Sequence, residues 1–119
     1  MGYVNRLPDD PAFDQAGLTG YRFPMDTDEF EVYYVDVDQG HDSFIVSREI
    51  IHVYYVIDGS GTFTIDGTEH AVGTDDVVEV PPGVEYTYSG EMTLLLVMAP
   101  PWFEGNEEIV RDNPAVAGE

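Results

Sequence analysis

At 119 residues, 43% of them hydrophobic and 13% aromatic, the chain has material for one well-filled core and is not a disordered polymer. Its 24 Asp and Glu residues face four arginines and no lysine, and the net charge of −20 opposes binding to nucleic-acid phosphates or anionic membranes. The absence of cysteine excludes disulfides, thiolate nucleophiles and cysteine-based zinc sites, and no stretch approaches the roughly 18 apolar residues of a membrane helix. The acids are spread along the chain rather than bunched. That distribution, with no lysine, predicts a surface adapted to multimolar salt and a salt-accumulating cytoplasm, as in a haloarchaeon.

In chain order, residues 1–29 carry Pro8, Pro11 and Pro24 among many acids and predict an arm, loop or strand, packed outside the main body. From Phe30 the sequence becomes a series of short runs rich in Val, Ile, Tyr, Phe and Thr. The predicted strands are Phe30 to Val37, Ser43 to Ser47, Ile50 to Ile57, Gly61 to Ile65, Glu69 to Val72, Asp76 to Val80, Glu85 to Tyr88 and Thr93 to Met98. Turn signals separate them: Asp38-Gln39-Gly40, Asp58-Gly59-Ser60-Gly61, Asp66-Gly67, Val72-Gly73-Thr74-Asp75, Pro81-Pro82-Gly83 and Ser89-Gly90. Asp66-Gly67 predicts a tight hairpin, because both residues tolerate positive φ. Residues 99–119 open with Pro100-Pro101-Trp102-Phe103, expected to cover a barrel face or a subunit interface, and end in a segment expected to be mobile. The fold class is all-β, a sandwich or closed barrel.

The stretch Ile51-His52-Val53-Tyr54-Tyr55-Val56-Ile57-Asp58-Gly59-Ser60-Gly61-Thr62-Phe63 resembles the first motif of the cupin family, His-x-His, three or four residues, Glu, six residues, Gly. Asp75-Asp76-Val77-Val78-Glu79-Val80-Pro81-Pro82-Gly83-Val84-Glu85-Tyr86 resembles the second: Gly, five residues, Pro-x-Gly, two residues, His, three residues, Asn. The resemblance implies a single cupin domain over residues 1–119, a double-stranded β-helix or jelly-roll barrel with its core at 30–98, enclosing a pocket and pairing as a homodimer. It also implies a metal site, and there the sequence departs. His52 stands in the Glu slot; the two His slots hold Val46 and Arg48 at the shorter spacing or Ile45 and Ser47 at the longer. Tyr86 stands in the second motif's His slot, Gly90 in its Asn slot and Asp75 in its leading Gly slot. No family ligand is kept in kind, so no metal and no cofactor are expected. A cationic arginine repels a metal, and a tyrosine with a pKa near about 10 is a poor ligand at neutral pH.

Along Ile50 to Ile57 the side chains alternate, and the motif turns His52, Tyr54 and Val56 inward. His52 reads as a pocket acid, base or hydrogen-bond donor, with a core histidine satisfied by Tyr86 as the alternative. Tyr86 and Tyr88, flanking Thr87, would join Tyr54 as ligand-binding aromatics or fill the core. Arg48 would grip a carboxylate or phosphate, or form an exposed ion pair. His41 and His70 read as surface residues. Three functions fit: a metal-independent isomerase, epimerase or lyase acting on a sugar-like or carboxylated metabolite, with His52 as the catalytic group; a non-catalytic ligand-sensing or dimeric interaction module; or a metal enzyme using His52, Tyr86 and His41. The expected partners are a small-molecule ligand and a second copy of the chain, in a cytoplasmic protein without nucleic-acid or membrane partners.

Overall fold

In the computed structural model, which describes residues 3–116, every regular element is a strand. No helix of the described residues is long and apolar enough to cross a membrane. The strands are β1 (Phe13–Gln15), β2 (Leu18–Arg22), β3 (Glu31–Val37), β4 (Ser43–Ser47), β5 (Ile51–Ile65), β6 (Thr68–Gly73), β7 (Val77–Val80), β8 (Glu85–Ala99) and β9 (Glu107–Asp112). All pairings are antiparallel, in the order β1-β2-β3-β8-β4-β9, with β5 joined to β6, β7 and β8.

The two 15-residue strands β5 and β8 organise this curled sheet. They pair along nearly their whole length, from Ile51↔Ala99 to Ile65↔Tyr86. The second half of β8 also carries β3, and its first half carries β4. The result is the cupin-type double-stranded β-helix, a jelly-roll barrel with its core inside the curl. Alternation sets that core: Tyr33, Val35 and Val37 of β3, Ile45 of β4, Tyr54 and Val56 of β5 and Leu94, Leu96 and Met98 of β8 are all buried.

Two expected turns are absent. Asp58-Gly59-Ser60-Gly61 and Ser89-Gly90 lie inside β5 and β8, which run through as bent strands with a register shift between Val56 and Asp58. The glycines serve a close crossing here: Gly90 has φ +135, and a Cβ on it would press into the backbone of Ser60 and Gly61. The Asp66-Gly67 hairpin forms as expected, with φ of 51° and 80°.

The two ends of the chain both join the sheet. The N-terminal arm adds β1 and β2 to the edge of the sheet through β3, and Phe13 and Leu18 reach the central cavity. The C-terminal segment forms β9 along β4. The mobility expected of the last residues concerns 117–119, which lie outside the described residues.

Candidate functional site

The curl encloses a cavity of about 360 Å³, toward the small end of ligand pockets. Its inner part is aromatic. The rings of Tyr54 and Phe63 lie 5.1 Å apart, those of Tyr54 and Tyr88 5.4 Å, and those of His52 and Tyr86 5.8 Å. The Tyr54 and Tyr86 hydroxyls share a 2.6 Å hydrogen bond. Whichever oxygen accepts keeps its own proton, which leaves one donor for a ligand. Burial, followed by the neighbouring ring oxygens, raises the pKa of Tyr54 well above the usual tyrosine range. Burial likewise raises Tyr86 and Tyr88, and it pushes Tyr33 up to about 12, with Glu31 adding to the effect. All four are neutral phenols at ordinary pH.

His52 lies on this inner surface, 2% exposed, and its Nδ1 has no hydrogen-bond partner. Burial lowers its pKa to about 4; the Ile50 backbone carbonyl opposes this, and His41 adds slightly to it. The expected hydrogen bond between His52 and Tyr86 is not made: the Tyr86 hydroxyl bonds Tyr54, and the two rings lie tilted to one another at 5.8 Å between centroids without a bond to Nδ1. Tyr54, Tyr86 and Tyr88 do line the cavity with His52, so four of the five candidate ligand or catalytic residues converge.

The fifth, Arg48, is not brought to the cavity. Its exposed guanidinium pairs with Glu108 at 3.7 Å on the outer surface. The longer motif spacing therefore holds: Ile45 and Ser47 are buried on β4, and Ile45 reaches the cavity. Ser47 is committed elsewhere, donating to the Ile50 carbonyl at 2.7 Å and accepting from Asn106 at 2.9 Å.

Two further residues complete the cavity, one named from the sequence only as a metal ligand of the third reading and one not selected at all. His41, expected on the surface, stands in the wall with its side chain 17% exposed and its ring 6.0 Å from that of Tyr88. The turn at Gly40 folds back onto β8, where Gly40 bridges Ser89 and the His41 amide donates to the Tyr88 carbonyl, and this directs the side chain inward. The signal was present, since His41 continues the inward alternation of Ser43, Ile45 and Ser47. Glu107, at the start of β9, is the second. Although solvent-exposed on its outer side, it lines the cavity, and the protein around its carboxyl raises its pKa, with His41 partly offsetting the rise. Nothing local distinguishes it among 24 acids.

Both residues are held by buried amides. Asn106, fully buried, accepts from the Glu49 amide at 2.9 Å and donates to Ser47, anchoring the residue before Glu107. At the other end of β9, Asn113 donates to the His41 carbonyl at 2.9 Å, and Thr87 donates to the Ser43 carbonyl at 2.9 Å. The His41 ring is equally constrained. Its Nδ1 lies 3.0 Å from the Ser43 carbonyl and 3.2 Å from the Ser43 amide, so it can donate to the first or accept from the second. When Nδ1 donates to the Ser43 carbonyl, Nε2 carries the lone pair, and the same bond is kept when Nε2 takes a proton, as a group exchanging protons through Nε2 requires.

The metal that the motifs imply does not fit these residues. Among the described residues no three His, Asp or Glu side chains gather as a metal would need. Of the four motif positions one is apolar, one is an engaged serine and one is a phenol held neutral by burial.

The cupin domain family matches residues 33–98. No curated protein sequence matches the chain. Among solved structures, Pac13, described as a unique nucleoside dehydratase, superposes with a TM-score of 0.88 at 25% identity, covering 97% of this chain and 96% of that one. A Streptomyces PAC13 variant with a histidine changed to glutamine, solved with uridine, gives the same TM-score at 24% identity and the same coverage. A protein from Planctomyces limnophilus matches with a TM-score of 0.77 at 22% identity, covering 90% of this chain and 96% of that one.

Proposed function

Since this chain belongs to the cupin domain family, we propose that it is a metal-independent lyase that eliminates water from a nucleoside-like substrate in the barrel cavity. The observation that carries the reading is His41, whose Nδ1 can donate to the Ser43 carbonyl and so leave Nε2 as the basic nitrogen, and which stands with Glu107 and Tyr88 in the wall of a small aromatic cavity. The likeness to Pac13 along almost the whole of both chains supports it.

A neutral imidazole cannot take a proton from an unactivated C–H bond, so the carbon attacked stands next to a carbonyl. His41 Nε2 accepts that proton, the C–O bond one carbon further breaks, and a C=C bond forms. The imidazolium returns the proton to the departing hydroxyl, which leaves as water. The catalyst is regenerated and no electron acceptor is needed. Neutral tyrosine hydroxyls donate to the carbonyl oxygen as charge develops on it, and burial keeps them protonated for that purpose.

The test is incubation of the protein in molar KCl with nucleosides and with carbonyl-bearing oxidised nucleosides, followed by mass spectrometry for loss of water. Turnover that disappears in His41→Gln while nucleoside binding remains is the expected result. No loss of water from any of these compounds, together with no calorimetric binding of a nucleoside at millimolar concentration, would refute the proposal.

A further inference from the structure

Strand alternation gives the curled sheet an outer as well as an inner face, and part of the outer face is unlike the rest of this acidic surface. Where β2, β3, β8, β5 and β7 lie side by side, Tyr21 pairs with Tyr34, Tyr34 with Leu95, Leu95 with Tyr55 and Tyr55 with Val77, one row straight across the sheet. The next row runs Val32, Val97 and Val53 and ends on Glu79 at the margin, and the paired Ile51 and Ala99 begin a third. These residues take the parity opposite to Tyr33, Tyr54 and Leu96, which line the cavity, and none of them joins the core. Val77 is 62% exposed, and the Tyr21 and Tyr34 rings brace each other edge on at 6.4 Å.

The chain carries 24 acids, yet between Tyr21 and Val77 these rows hold no charge. Acids stand only at the margins: Asp36 on β3, Glu79 on β7, and Asp75, which accepts a hydrogen bond from the Tyr55 hydroxyl. Five strands about 4.8 Å apart and three rows about 7 Å apart, with the girth of their side chains, make a face of about 500 Å². Two such faces together bring about 1,000 Å² into contact, the lower end of a specific interface. The rows are also symmetric in chemistry about β8. Tyr34 and Val32 on one side correspond to Tyr55 and Val53 on the other, with Leu95 and Val97 between them.

From the area, the missing charge and this symmetry we infer that the protein pairs with a second copy of itself through this face, about a two-fold axis running along β8. The axis lays Leu95 on Leu95 and Tyr34 on the second copy's Tyr55, two sheets stacked face to face as in a β-sandwich. A cationic partner finds no charge within the rows to meet. The marginal acids of the two copies approach one another, so association tightens as salt screens them, whereas a partner held by cations would be released. The pairing is independent of the lyase reading, because the cavity lies on the other side of the sheet and neither copy covers it.

The experiment is sedimentation velocity of the full-length protein over a range of concentrations in dilute and molar KCl, for wild type, Leu95→Asp, Val77→Asp and Ile109→Asp. Wild type should form a reversible dimer whose Kd falls by about tenfold or more from dilute to molar KCl. Leu95→Asp sets two carboxylates together on the axis and should weaken the dimer by about a hundredfold, and Val77→Asp, at the edge of the face, by about tenfold. Ile109 is 70% exposed on β9, away from the face, and Ile109→Asp should leave the dimer as tight as wild type. Thermal melting establishes that each variant is folded; Val77→Asp alters an exposed side chain and decides the matter if Leu95→Asp does not fold. A monomer at millimolar concentration in molar KCl, a dimer that dissociates as salt rises, a dimer as tight in folded Leu95→Asp or in Val77→Asp as in wild type, or one lost in Ile109→Asp would each overturn the inference.

Discussion

The hydrogen bond between Tyr54 and Tyr86 is buried at both ends, so each hydroxyl depends on the other. Tyr86→Phe strands the Tyr54 hydroxyl and should cost about 1 to 2 kcal/mol of stability; adding Tyr54→Phe removes the stranded group, so the double variant should cost less than the sum by about 1 kcal/mol. Guanidinium denaturation of the four proteins measures this, and strict additivity would contradict it. His52 makes a pH prediction. Its folded pKa lies near 4 because burial disfavours the cation, whereas the unfolded chain protonates near about 6.5. Between those values the unfolded state binds a proton that the folded state does not. Stability is therefore fully present above about pH 6.5 and falls as pH drops toward about 4, by at most about 3 kcal/mol from this residue. His52→Phe should lose less stability than wild type between about pH 7 and about pH 4.5. Because the acids titrate in both proteins, the difference between their denaturation curves isolates His52, and parallel losses would show that burial does not hold it neutral.

At the scale of elements, β5 and β8 turn a corner together, and the corner is where sequence punctuation and structure part company. Gly90 sits at φ +135 against the backbone of Gly61, while Gly67, at φ +80, has open space where its Cβ would be. Gly67→Ala should cost about 1 kcal/mol, the price of a left-handed backbone alone. Gly90→Ala adds a backbone collision and should cost about 3 kcal/mol or more or prevent folding, as read by denaturation midpoints and soluble yield. Equal costs would mean that the crossing is looser than the structure shows. β9 presents the opposite case, an element with little local signal. Its burial pattern is exposed throughout, so alternation could not announce it. What holds it is pairing with β4 and the buried amides Asn106 and Asn113 at its ends, and these bring Glu107 to the cavity.

For the whole molecule, a charge of −20 on 119 residues with no lysine sets the response to salt. Removing screening lets carboxylates across the surface repel, and the compact state suffers more than the expanded one. The melting temperature should rise steadily from dilute to molar KCl, and a flat response in scanning calorimetry would reject salt adaptation. The arginine pairs respond in the opposite sense, since salt screens their attraction, but they are few beside 24 acids. Arg111 meets Glu85 at 2.8 Å and lies over the Phe44 ring at 4.0 Å, so the scarce cations are spent on the surface. By itself the sequence determined the all-β class, the hairpin at Asp66-Gly67, the inward set His52, Tyr54, Tyr86 and Tyr88 and the loss of the family's metal ligands. The class and the hairpin are consequences of local geometry, the period-two alternation of a strand and the φ preferences of single residues, while the inward face and the missing ligands follow from the resemblance to the cupin motifs. Only the tertiary structure decided that Arg48 faces outward, that the glycine runs at 58–61 and 89–90 are bends within strands, and that Glu107 reaches the cavity. Those facts depend on which strands pair and in what register, and such contacts join residues far apart in the chain, beyond the reach of any local pattern.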